Sequence, residues 1–111
     1  MDPFPSVSMA LADARGLDDQ ELCDALVEAE KSLRRTQAQM AVLTAELQSR
    51  VAASGCRVSG ASEELALLLA VSPRSADRRM DLSVMLCERE VVWTALHDGR
   101  IDTSKAQVIL D

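Results

Sequence analysis

Three arginines, Arg74, Arg78 and Arg79, have the residue type and spacing to contact DNA. On a helix, their guanidinium groups could meet phosphate oxygens or the O6 and N7 acceptors of guanine. Asp77 and Asp81 lie among them, so this segment carries a net charge of only +1. The whole chain carries −6, and an acidic chain gains no counterion-release affinity from its bulk charge. We therefore expect any DNA binding to be weak and confined to these arginines.

The remaining reactive residues form no catalytic or metal-binding pattern. His97 is the only histidine, and it is placed to stabilise the C-terminus of a helix. Cys23, Cys56 and Cys87 are odd in number and include no C-x-x-C pair, which disfavours a disulfide framework or a zinc site. We expect Cys23 and Cys87 to be small core residues. The sequence thus predicts no enzyme activity, no metal, no cofactor and no small-molecule substrate.

A helix–helix corner must position the arginines. Ser72 is a good N-cap, and Pro73 suits the first position of the helix that follows. Two helices joined by so short a turn cross steeply, as in a helix-turn-helix. We expect Leu65, Leu69 and Val71 to be buried at the corner. Two interpretations stay open: an ordinary corner inside an all-α domain, or a unit that reads DNA.

A long helix precedes this corner and is predicted from residue 18 to residue 53, without Gly or Pro. Asp18 and Glu21 have the spacing of a capping box. Apolar residues recur along the helix at alternating steps of four and three, a heptad pattern interrupted by Ala29 and Thr36. This seam consists of Leu22, Leu26, Ala29, Leu33, Thr36, Met40, Leu43 and Leu47. Four of its members are predicted to form the seam through which the chain self-associates, here called the oligomer seam: Leu26, Leu33, Met40 and Leu47.

A helix of roughly 35 residues would be about 50 Å long, more than a small globule can cover. Either the later helices pack along its C-terminal half, or a second chain pairs with the seam. The pattern alone does not separate these alternatives.

The chain organisation follows from these elements. Residues 1–17 are predicted to be a mobile lead-in, and residues 18–111 a helical domain with short helices over 62–111. Ser54–Gly60 is the main break, and Ser62 is the expected cap of the next helix. The chain ends just after an apolar run in a helix, so we expect the domain to be cut off there. No segment has the length of a membrane span or the form of a signal peptide, which favours a cytoplasmic protein.

The segments ELALLLAVSPRSADRRMDLSVML and VVWTALHDGRIDTSKAQVIL resemble a known family over roughly residues 18–111. It is the actinobacterial helical domain of unknown function found ahead of HNH endonuclease modules, also called the thirteen-E-twelve repeat family. The matching positions are Ser72-Pro73-Arg74, Ala76, Leu86, Ala95-Leu96, Gly99-Arg100-Ile101 and Ala106. One departure is Cys87-Glu88, where many members have a Pro.

The resemblance implies an N-terminal, non-catalytic module of an HNH-nuclease-associated protein, for assembly or DNA positioning. Relatives continue through more helices to an HNH motif, which needs two His and usually an Asn. This chain has one His and no Asn, so nuclease activity is not carried over. The alternative is a structural coiled-coil oligomerisation segment with no nucleic-acid role.

Overall fold

A computed structural model of the protein describes residues 6–54 and 60–111, and these residues contain α-helices and no β-strand. The all-α prediction is therefore confirmed. The predicted break at Ser54–Gly60 falls largely on residues 55–59, which lie outside the described residues. The helices are α1 (Val7–Arg15), α2 (Asp19–Ser54), α3 (Ala61–Leu69), α4 (Pro73–Glu88), α5 (Glu90–His97) and α6 (Thr103–Leu110).

Helix α1 lies within the segment predicted to be a mobile lead-in, where no helix was expected. The Ser6 hydroxyl caps it by accepting a hydrogen bond from the Met9 amide at 3.1 Å. None of its residues is buried, so it adds nothing to the core. The mobility of residues 1–17 stays a prediction.

Helix α2 begins with the predicted capping box. The Glu21 amide donates to Asp18 Oδ1 at 2.7 Å, and the Asp18 amide donates to Glu21 Oε1 at 3.0 Å. Its 36 residues correspond to about 54 Å at 1.5 Å per residue. The longest dimension of the molecule is also 54 Å, so this one helix sets the length of the protein.

The corner between α3 and α4 forms as predicted. Helix α3 ends at Leu69, and Ala70 turns the chain with a φ of 53°. The Ser72 hydroxyl then accepts from the Ser75 amide at 3.1 Å, with Pro73 as the first residue of α4. The expected cap at Ser62 is wrong, because α3 begins at Ala61 with Gly60 as its N-cap and no side-chain cap.

Two clusters of buried side chains form the core. The larger joins α2 to α4, α5 and α6, and it consists of Ala38, Ala41, Leu86, Val92, Leu96 and Ala106. The smaller joins α3 to α4 through Leu65, Ala76 and Met80. The predicted burial of Leu69 is wrong. Val71, which follows the left-handed residue, packs against the smaller cluster, and Leu69 faces outwards.

The buried contacts of α2 are made by small residues, and of its leucines Leu47 packs against the smaller cluster. The buried positions of α2 are Ala38, Ala41 and Thr44, which we call the alanine stripe. Ala41 and Thr44 each directly follow a member of the heptad seam, and Ala38 lies two positions from the nearest members. The stripe is therefore rotated by about 100° or more around the helix from that seam. The later helices therefore pack beside the seam and along the C-terminal half of α2.

Candidate assembly seam and basic surfaces

The four residues of the predicted oligomer seam divide into two pairs. Leu26 and Leu33 lie on the part of α2 that no other helix covers, and they are 71% and 52% exposed. Met40 and Leu47 are half-buried, and Leu47 packs against the smaller core cluster. The seam available to a partner is thus its N-terminal part.

An open groove of about 610 Å³ runs beside this exposed part of the seam. Its surface is mostly apolar, with charged side chains at the rim. We call it the seam groove, lined by Leu26, Val27, Ala29, Glu30, Lys31, Leu33, Arg34 and Gly99.

The connection between α5 and α6 closes one end of the seam groove. Arg34 Nη1 donates to the Gly99 carbonyl at 2.8 Å, while its Nε pairs with Glu30 at 2.9 Å. Gly99 has the positive φ, 79°, expected of a residue that terminates a helix. A Cβ at this position would lie 3.3 Å from the Lys31 side chain, so the connection packs closely on α2.

A basic surface that the sequence analysis missed lies next to the seam groove. Arg34, Arg100 and Lys105 line an open groove of about 480 Å³. Arg34 and Gly99 are 65 positions apart, so no local motif indicates that the fold brings these cations together. The nearby acids are Glu30, Asp98 and Asp102, of which Asp102 caps α6 by accepting from the Lys105 amide at 2.8 Å.

The predicted DNA-binding arginines are exposed on α4. Arg74, Arg78 and Arg79 form no ion pair with another described residue. Arg74 and Arg78 are one turn apart on the same face, whereas Arg79 is rotated by about 100° from Arg78. Asp77 and Asp81 are also exposed on α4. The outward side of α4 therefore carries both signs of charge.

Trp93 and His97 join α5 to the long helix. Trp93 Nε1 donates to the Ala38 carbonyl at 2.8 Å, which docks α5 on α2. The His97 ring stacks on Trp93 with 5.1 Å between centroids. His97 Nδ1 lies 3.1 Å from Asp98 Oδ1 at the end of α5, where a histidine was expected to stabilise the helix dipole.

The prediction that Cys23 and Cys87 are core residues is wrong. Both side chains are exposed; Cys23 lies on the half of α2 that no other helix covers. The Cys87 thiol still contacts α2, donating to the Ala41 carbonyl at 3.7 Å. Burial of the sulfur in this contact raises the pKa of Cys87 above its ordinary value. Cys56 lies outside the described residues.

Within residues 6–54 and 60–111, no three His, Cys, Asp or Glu side chains are grouped so that they could hold a metal ion. No helix in these ranges combines the length and apolar character needed to span a bilayer. What these side chains offer is an apolar groove, a groove lined by Arg34, Arg100 and Lys105 with acids beside them, and the mixed-charge outward side of α4. Comparisons with protein-family profiles, curated proteins and solved structures find no match for this chain.

Proposed function

We propose that this chain is a non-catalytic assembly module, which pairs with a partner helix through the exposed seam of α2. The observation that carries the proposal is the exposure of Leu26 and Leu33 on a helix whose alanine stripe is already used by its own core. A contiguous apolar surface on a small soluble domain is typical of an interaction site. Burying it against another apolar helix stabilises the complex by about 25 cal/mol per Å².

The fold supports this role by dividing α2 into two functional halves. Helices α3, α4 and α5 pack along its C-terminal half, and α6 packs on α4 and α5, which fixes that half in a core. The N-terminal half extends beyond them and presents Leu22, Leu26 and Leu33. The association with an HNH nuclease rests on the family resemblance in the corner and in the Gly99-Arg100-Ile101 segment.

Sedimentation velocity at micromolar protein tests the assembly role. The parent chain is expected to form a dimer or a larger species. Leu26→Asp together with Leu33→Asp should give a monomer, because two charges in the seam groove would be desolvated on pairing. Leu67→Asp is the matched control: Leu67 is 81% exposed but lies on α3, away from the seam.

Circular dichroism should show equal helix content in these variants, since the substituted side chains are exposed in the single chain. A monomeric parent, or a Leu67→Asp variant that dissociates as fully as the seam variant, would contradict the proposal.

DNA positioning is a second candidate function. It is favoured by the exposed guanidinium groups of Arg74, Arg78 and Arg79, which form no ion pair within the part of the chain that the structure describes. Three phosphate contacts would give a log–log salt slope of about −3 per chain, since each contributes roughly −0.9. The net charge of −6 on the chain repels the DNA duplex and slows their encounter. We expect micromolar affinity in low salt and little binding near physiological salt.

Fluorescence anisotropy with labelled duplex DNA distinguishes this role from a purely structural coiled coil. Replacing Arg74, Arg78 and Arg79 by Ala should abolish binding at unchanged helix content. The charge-matched control replaces Arg15, Arg50 and Arg89 by Ala, which should retain most of the affinity. Equal losses in the two variants would mean that only net charge matters and that α4 has no DNA-contacting role.

A further inference from the structure

The exposed half of α2 also indicates which partner binds there and in which direction the partner helix runs. This inference rests on the proposed assembly function. We infer that the partner is a second copy of this chain. Its α2 runs antiparallel in the seam groove, and the two-fold axis lies between Val27 and Glu28. Three features of the described residues support this: the order of residues in the seam, the order of charges, and the place where the core ends.

The order of apolar residues in the exposed seam is almost symmetric about the position between Val27 and Glu28. In an antiparallel pair of heptad helices, each residue at heptad position a lies opposite a residue at heptad position d of the other helix. A two-fold axis between positions 27 and 28 places Leu22 opposite Leu33 of the second copy, and Leu26 opposite its Ala29. Each layer thus pairs two leucines or a leucine with an alanine. All four positions belong to the seam, and three of them also line the seam groove.

The charges along α2 are arranged in two blocks that favour the same polarity. The first block is acidic and contains Asp19, Glu21, Asp24, Glu28 and Glu30. The second block is basic and contains Lys31, Arg34 and Arg35. The first has no basic residue, and the second has no acidic residue. A parallel, in-register pair would place acids beside acids. The antiparallel pair instead places Asp19, Glu21 and Asp24 of each helix alongside Lys31, Arg34 and Arg35 of the other. Glu28 and Glu30 then lie near the axis, and the two helix dipoles are opposed.

In the inferred register, Glu21 of one copy is level with Arg34 of the second copy, whose guanidinium group also faces the basic groove with Arg100 and Lys105. Asp19 lies one residue beyond the level of Arg35. The acidic first turn of each α2 would therefore pass close to the basic surface of the other copy. The groups that would bind this surface are therefore the carboxylates of Asp19 and Glu21.

The extent of the core limits how far the two helices can overlap. Met40 and Leu47 are partly covered by their own chain, whereas Leu22, Leu26 and Leu33 are exposed. Pairing centred between Val27 and Glu28 uses the exposed part alone. The helices α3 to α6 of the two copies then lie at opposite ends of the pair, where they do not compete for space.

Pulsed electron paramagnetic resonance on the full-length chain tests the polarity. One nitroxide label is placed at Gln20→Cys or at Gln39→Cys, two exposed positions of α2, with the three native cysteines replaced by Ser. For antiparallel helices about 10 Å apart with the inferred axis, the label separations are about 25 Å at position 20 and about 35 Å at position 39. A parallel pair gives about 10 Å at both.

The outcomes separate the two levels of the proposal. Long distances, shorter at position 20 than at position 39, are the expected result. Short distances at both positions would overturn the antiparallel inference while leaving assembly intact. Long distances in the reverse order would move the two-fold axis towards the C-terminus and overturn the register. An absence of dipolar coupling, with a monomer in sedimentation, would overturn the proposed function itself.

Discussion

Ala70 occupies a backbone region that L-amino acids with a Cβ rarely adopt. Its φ of 53° lets the Ala70 and Val71 amides bond back to the carbonyls of Leu67 and Ala66, which closes the last turn of α3. Left-handed geometry costs an alanine roughly 1 kcal/mol relative to glycine. The tight corner before Ser72 and Pro73 therefore stores a small strain, whereas Gly99 makes the equivalent turn after α5 without it.

We predict that Ala70→Gly stabilises the protein by about 0.5 to 1 kcal/mol, because Ala70 is exposed and its methyl group makes no core contact. Urea unfolding followed by circular dichroism, at one fixed protein concentration, measures the change. Ala66→Gly is the control, since the same substitution inside α3 should destabilise by about 1 kcal/mol. A loss of stability at both positions would contradict the strain at Ala70.

At the scale of elements, the packing of α2 is determined by the small side chains of the alanine stripe. Ala38 and Ala41 are buried against Leu86 and Leu96. The Ala38 carbonyl also accepts the hydrogen bond from Trp93. Small residues at a helix–helix contact let the backbones approach, and a larger side chain there would force them apart.

Ala41→Leu is predicted to destabilise the protein by about 1 to 3 kcal/mol through overpacking. Val42→Leu is the matched control at the next position, where the side chain is 45% exposed, and it should change the stability by less than about 0.5 kcal/mol. Thermal unfolding measures both changes. A tolerated Ala41→Leu would mean that α2 is not tightly packed on its stripe.

The sequence was sufficient to predict the features that depend on residues close together in the chain. The capping box of Asp18 and Glu21 and the Ser72 cap each depend on residues within three positions of one another, and both were predicted. The packing face of α2 was not predicted, because leucines are stronger periodic signals than alanines and burial depends on distant helices. The contact between Arg34 and Gly99, and with it the basic groove, joins positions 65 apart and left no local signal.

At the scale of the molecule, the chain is elongated. Its radius of gyration is 17.7 Å, whereas a compact domain of this length has about 13 Å. The difference arises from the N-terminal half of α2, which extends beyond the core together with α1. An isolated helical segment of about a dozen residues is marginally stable in water, so under the proposed assembly function this half would gain order on pairing.

Hydrogen–deuterium exchange should therefore divide α2 in two. At low protein concentration, amides of residues 22–33 are predicted to exchange at least tenfold faster than those of residues 38–48, because only the latter pack against other helices. Raising the concentration into the dimeric range should slow exchange in residues 22–33 and leave residues 38–48 unchanged. Uniform protection along α2 at the lowest concentration would contradict this division.

The hydrogen bond from Trp93 to the Ala38 carbonyl has a practical consequence for spectroscopy. The chain contains one tryptophan, one phenylalanine and no tyrosine, so emission excited at the long-wavelength edge of its absorption comes from this indole alone. Since the indole N–H bonds to α2 and its ring stacks on His97, the emission reports the docking of α5 on the long helix. The protein thus carries an intrinsic fluorophore at the contact between α5 and α2.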